Sequence, residues 1–63
     1  MCQATIYRRG NGEVEILRDV ISLERTEEGW IAQSLFGESK RFQGRIERID
    51  FLKHTITMIQ ELP

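Results

Sequence analysis

Apolar and polar residues alternate along most of this chain in runs of about five to eight residues, the period-two signature of strands with one covered face. Residues 2–8 place Cys2, Ala4 and Ile6 on one side and Gln3, Thr5 and Tyr7 on the other. Residues 13–18 carry Val14 and Ile16 on one face, and residues 20–25 carry Ile21 and Leu23 as the alternating pair. In residues 30–36 both sides are apolar, with Trp30, Ala32 and Phe36 opposite Ile31 and Leu35, which predicts a central strand covered on both faces. Residues 39–44 hold one large apolar side chain, Phe42, and read as an edge strand. Residues 45–51 and 55–61 read as a closing hairpin. Ile46, Ile49 and Leu52 also fit a helical spacing, but the segment is short and runs into the β-rich Thr55-Ile56-Thr57, which favours a strand.

The punctuation between these runs is regular: Gly10-Asn11-Gly12, Glu27-Glu28-Gly29, Gly37 and Leu52-Lys53-His54. The expected fold is therefore all-β, a single domain over residues 1–63 built from six to seven short antiparallel strands. So many strands in so short a chain bury their apolar faces by curling into a small SH3-like or Sm-like barrel, which also limits exposed sheet edges.

Length adds a second expectation. Below about 70–80 residues one core rarely supplies more than ~3–5 kcal/mol, and small domains add disulfides, a metal or a second subunit. With a single cysteine among 63 residues an intrachain disulfide is impossible, so a stable fold points to self-association, a metal, or both. The net charge of −1 is too even for general attraction to phosphate backbones or anionic lipid. Its distribution is uneven, however. Lys40, Arg41, Arg45, Arg48 and Lys53 lie in the last third, where Glu47 and Asp50 interrupt them. They read either as a mild basic patch or as the solvated faces of ordinary strands. No run approaches the ~18 apolar residues of a membrane span, and the first residues lack a signal-peptide pattern, so a cytoplasmic protein is expected.

Enzyme constellations find little support. The one histidine, His54, lies far along the chain from Cys2 and falls in a predicted turn. No glycine-rich loop opens a helix, and one cysteine with one histidine cannot assemble a zinc site of the CxxC type within one chain. Catalysis is not expected. RNA binding is the competing function, because small β-barrels stack bases on aromatic rings and hold phosphates with basic side chains. Tyr7 is the ring that remains for stacking if Trp30, Phe36, Phe42 and Phe51 fill the core.

Cys2 carries the most informative chemistry. A lone cysteine is commonly a small buried apolar side chain. Here it stands directly behind Met1, where its thiolate and the chain's free amine can bind one late transition metal without a folded pocket.

Several segments taken in order resemble one family. They are Met1-Cys2-x-Ala4-x-x-Tyr7, Asp19-Val20 followed by apolar residues, Leu35-Phe36-Gly37-Glu38, and Gly44-Arg45-Ile46-x-x-Ile49-Asp50-Phe51-Leu52. Together they resemble the CooT family over nearly the whole chain. The resemblance implies a small homodimeric, nickel-binding accessory protein, a metallochaperone of carbon monoxide dehydrogenase maturation, in which nickel binding depends on the amino-terminal cysteine, here Cys2. It also implies the runner-up function, since such sequences are described as predicted RNA-binding proteins.

Nickel sharpens the ligand arithmetic. One thiolate and one amine are two donors, whereas Ni(II) with strong-field nitrogen and sulfur donors favours four in a plane; two Cys2 residues meeting near a two-fold axis complete the set. Loss of Met1 would leave the Cys2 amine and thiolate in a five-membered ring, with the Gln3 backbone amide as a further donor. If Met1 stays, its amine and the Cys2 amide nitrogen take those places. The expected client is carbon monoxide dehydrogenase or another nickel enzyme.

Overall fold

In the computed structural model, which describes residues 3–60, the glycine turn at Gly10-Asn11-Gly12 joins β1 (Ala4–Gly10) to β2 (Gly12–Thr26). A two-residue turn at Glu27-Glu28 leads to β3 (Gly29–Ser34), followed by β4 (Ser39–Phe42), β5 (Arg45–Asp50) and β6 (Thr55–Ile59). The all-β expectation holds. Among the described residues these six strands form one sheet in the order β4-β3-β2-β1-β6-β5.

Six strands appear where the alternation suggested up to seven, because the two runs on either side of Asp19 are one long, broken strand. Asp19 adopts φ 57°, a left-handed conformation that aspartate tolerates better than most side chains. Around it the register slips. Ile6 faces Leu17 while Ala4 faces Val20, so three steps on β2 answer two on β1. Further slips lie between the Ile6 and Tyr7 pairings of β1 with β2, and between the Val20 and Ser22 pairings of β2 with β3. Each such bulge bends its strand and raises the local twist. β2 thereby serves two partners, β1 along its first part and β3 along its last, and carries the sheet around the core.

The bulges also change which β2 side chains are inside. A one-residue slip exchanges the faces of a strand. Leu17 and Val20 are buried, whereas Val14 and Ile21, expected on covered faces, are 62% and 56% exposed. Ile6, Ala32 and Met58 complete the buried core, with Ile16, Leu23, Trp30, Phe42, Ile46 and Ile56 packed half-buried around it.

Two further expectations are corrected. The strand predicted to be central, β3, is flanked by β4 and β2, and the middle of the sheet belongs to β2 and β1. Its far end does not continue through Leu35 and Phe36, which turn outward and are 47% and 74% exposed. The expected antiparallel arrangement holds for four of the pairings, but β1 and β6 run parallel, with Ile6 beside Ile56 and Tyr7 beside Thr57. The barrel is realised as a curled sheet whose ladder stays open between β4 and β5.

Those two edges are brought close by the chain itself. Only Gln43 and Gly44 separate β4 from β5. Gly44 has φ 132°, and a Cβ there would lie 2.5 Å from the Ile59 carbonyl oxygen, so no other residue fits this corner without a shift. Its own carbonyl accepts the Trp30 indole N–H at 3.0 Å, which ties β3 across the corner. β4 is an edge strand as its sequence predicts, and β5 with β6 forms the expected antiparallel hairpin.

Candidate functional site

The first strand positions the chain start. Gln3 is half-buried and leads directly into β1, while Met1 and Cys2 lie outside the described residues. Ala4 pairs with Val20 of β2 on one side. On the other side the Thr5 amide donates to the His54 carbonyl oxygen at 2.9 Å. Since β1 lies inside the sheet, the backbone that leads to Cys2 is anchored on both flanks.

Beside this start stands the β5–β6 turn, residues 51–54. It is held by one carboxylate: Asp50 Oδ1 accepts the amides of Leu52 and Lys53, each at 3.0 Å, and Asp50 Oδ2 accepts Arg48 Nη2 at 3.2 Å. The Lys53 amide, then the Arg48 charge and the Leu52 amide, hold the Asp50 carboxyl below its ordinary value, against an opposing effect of burial. His54 closes the turn with φ 56° and is exposed, as its sequence position predicts. The turn presents Phe51 and Leu52, 82% and 90% exposed. Phe51 was expected in the core; its place in the turn puts it outside.

A second turn is built in a similar way after β3. The buried Ser34 hydroxyl oxygen accepts the Phe36 and Glu38 amides at 3.2 and 3.1 Å, and Leu35 N–H donates to the Asp19 carbonyl at 2.8 Å.

On the face of β1 and β6 opposite Ile6 lies a polar groove of about 640 Å³, lined in part by Tyr7, Arg9, Arg48, Lys53, Thr55 and Thr57. The slip on β5 between Ile46 and Arg48 sets Glu47 near Arg9. Arg9 Nε donates to Glu47 Oε1 at 2.7 Å, and Arg9 Nη2 bonds the other oxygen. The Arg9 bond and charge hold the Glu47 carboxyl below its ordinary value, despite some desolvation. The cations of the predicted basic patch are divided: Lys40 and Arg41 are on β4, Arg45 and Arg48 on β5, the two edges of the strand order. Among the described residues no three or more His, Cys, Asp or Glu side chains converge as a metal-binding group. None of the described elements is a helix long and apolar enough to cross a membrane.

Sequence reasoning missed both the groove and the outward aim of the apolar turns. The motif Ile49-Asp50-Phe51-Leu52 held a usable signal, because an aspartate just before a predicted turn accepts amides two and three residues on.

The fold and its chain start define a small all-β domain of one curled sheet. Three comparisons make the class specific. The family model for "CO dehydrogenase accessory protein CooT" matches residues 1–59. An uncharacterized protein of Methanothermobacter thermautotrophicus is 38% identical over 56 residues, covering 89% of this chain and 84% of that protein. One of Methanocaldococcus jannaschii is also 38% identical over 56 residues, covering 89% and 93%. The crystal structure of a CooT candidate from Carboxydothermus hydrogenoformans superimposes with a TM-score of 0.90 at 31% identity, over 95% of this chain and 98% of that one. The chain belongs to the CooT family of CO dehydrogenase accessory proteins.

Proposed function

We propose that this protein is a nickel metallochaperone: it carries Ni(II) for the maturation of carbon monoxide dehydrogenase or another nickel enzyme, holding the metal through the Cys2 thiolate and amino-terminal nitrogen. The metal is cargo. The observation that carries the reading is that the family match spans residues 1–59 and so takes in Cys2, two residues ahead of a strand anchored on both sides.

Two such chain starts in a homodimer supply the four donors that planar nickel favours, with the Gln3 backbone amide as an alternative nitrogen once Met1 is removed. Thiolate and amine both bind only after losing a proton, so loading is suited to neutral or higher pH and release to acid. A reducing cytoplasm keeps Cys2 free for the metal. The test is nickel titration of the wild type and Cys2→Ser, with mass spectrometry of the amino terminus. The wild type is expected to bind tightly and the variant to lose tight binding while keeping its fold; equal stoichiometric binding by both would overturn the reading.

One observation favours a second function, RNA binding: Tyr7 shares the polar groove with Arg9, Arg48 and Lys53, a ring beside cations on an open sheet face. Arg9 and Arg48 are each bonded to a carboxylate there, so phosphate has to displace Glu47 and Asp50. This reading expects salt-sensitive binding of single-stranded RNA that Tyr7→Ala weakens and Cys2→Ser does not.

A further inference from the structure

Of the two open ends of the sheet, β4 is the one whose cations all lack a carboxylate. On β5, Glu47 bonds Arg9 and Arg48 bonds Asp50, whereas among the described residues Lys40 and Arg41 are exposed and form no ion pair. The outer backbone of β4 is unpaired as well. The Ser34 amide donates to the Glu38 carbonyl at 2.8 Å, and bonded pairs alternate along an antiparallel ladder. Lys40 and Phe42 therefore exchange hydrogen bonds with Ala32 and Trp30, while the amides and carbonyls of Ser39 and Arg41 point away from β3. At the head of the strand stands the exposed ring of Phe36. Its backbone is held by the turn: the buried Ser34 hydroxyl accepts the Phe36 and Glu38 amides, and the Ser34 carbonyl accepts the Gly37 amide at 3.1 Å.

We propose that the β4 edge is a docking site for an acidic, extended segment of another protein, which adds as a strand beside β4. Its backbone pairs with Ser39 and Arg41, its carboxylates meet Lys40 and Arg41, and an apolar side chain covers Phe36. Charge selects this occupant. A second copy pairing β4 with β4 sets Lys40 and Arg41 against the same cations, and like charges opposite one another destabilise a strand pair. Neighbouring residues of a strand project to opposite faces, so the match to Lys40 and Arg41 is two acidic residues in succession. An edge lysine ordinarily blocks indiscriminate strand pairing; here it rejects basic strands and admits an acidic one. The alternating donors and acceptors of Ser39 and Arg41 suit a peptide backbone, whereas a phosphate chain has nothing to donate to their carbonyls. With the turn already ordered, covering Phe36 demands little further loss of backbone freedom.

The test uses the full chain and a blocked, fluorescein-labelled peptide in which two successive glutamates are flanked by valine and threonine. A counterpart peptide carries lysines in place of the glutamates. Fluorescence anisotropy reads binding, and circular dichroism checks the fold. The acidic peptide is expected to bind, less tightly as salt rises, and the lysine peptide not to bind. Lys40→Glu, Arg41→Glu and Phe36→Ser are each expected to weaken binding at least about fivefold. Arg8→Glu, an equal change of charge on β1, is the control and is expected to bind like the wild type. Hydrogen exchange at the Ser39 and Arg41 amides is expected to slow in the complex. If Phe36→Ser loses its fold, the two charge reversals decide. No binding of the acidic peptide at millimolar concentration, equal binding of both peptides, unaltered exchange at Ser39 and Arg41, or charge reversals that bind like the wild type overturns the inference. So does self-association of the metal-free chain that Phe36→Ser abolishes in sedimentation velocity, which makes a second copy the occupant. Binding of single-stranded RNA, but not of the peptide, that the same reversals abolish overturns it too.

Discussion

Gly44 shows how much of this fold turns on single backbone positions. Its φ of 132° lies in territory that side chains strain to reach, and the Ile59 carbonyl occupies the space a Cβ would need. Conformations of this kind cost about 1–3 kcal/mol for other residues. Gly44→Ala is expected to lower the unfolding free energy by an amount in that range or above, read as a lower urea midpoint with the unfolding slope unchanged. Asp19 is the opposite case, a non-glycine residue at φ 57° whose carbonyl receives the Leu35 amide. Asp19→Val puts a β-branched side chain into the left-handed region, and a loss of about 1–2 kcal/mol is expected in the same denaturation experiment. Cys2→Ser is expected to change nickel affinity and leave the urea midpoint in place. The metal chemistry proposed for Cys2 rests on the sequence alone. The strain at Asp19 was not legible there, because aspartate is ordinary at a strand surface.

At the scale of elements, the β5–β6 turn links charge to shape. The Asp50 carboxyl is held below its ordinary value of 3.8, chiefly by the Lys53 amide and then by Arg48 and the Leu52 amide. A carboxyl depressed in the folded state stabilises it fully above the unfolded value and loses that contribution as pH falls through the folded one. Asp50→Asn is therefore expected to be less stable than the wild type at neutral pH, with the gap narrowing below about pH 4. Urea midpoints measured across that range check it; a gap independent of pH would assign the turn's stability to packing alone. β2 teaches a different lesson. Its alternation suggested two strands with Val14 and Ile21 covered, yet three register slips make it one bent strand with Leu17 and Val20 inside. A bulge adds a residue on one strand relative to its partner, so it cannot be seen in either strand alone.

For the whole molecule, metal and assembly are expected to be linked. A nickel site shared by two chains gives about 0.5 metal per chain, with thiolate charge-transfer absorption. One nickel per chain would mean that each chain builds its own site. If the chain dimerises and binds nickel as proposed, mass action makes the thermal midpoint rise with protein concentration, and rise further with nickel present. Nickel affinity is expected to fall steeply as pH drops below neutrality, since the thiol and amine then hold their protons. Isothermal titration at a series of pH values measures that slope. A flat profile would point to donors other than the thiolate and amine.

The sequence alone determined the strand-rich class, the glycine turns, the β4 edge and the β5–β6 hairpin, since each depends on local alternation or on one residue's backbone freedom. It also determined that the 63 residues hold one thiol, Cys2, and so form no disulfide among themselves. Only the tertiary structure decided the parallel pairing of β1 with β6, whose paired residues lie some fifty positions apart, and with it the placing of the β5–β6 turn beside the chain start. It alone turned Phe36 and Phe51 outward and gathered Tyr7 and Arg9 into a groove with Arg48. Alternation tells which side chains share a face of one strand. Which face is covered depends on register and on partners distant in the chain, and those are chosen by the packed sheet as a whole.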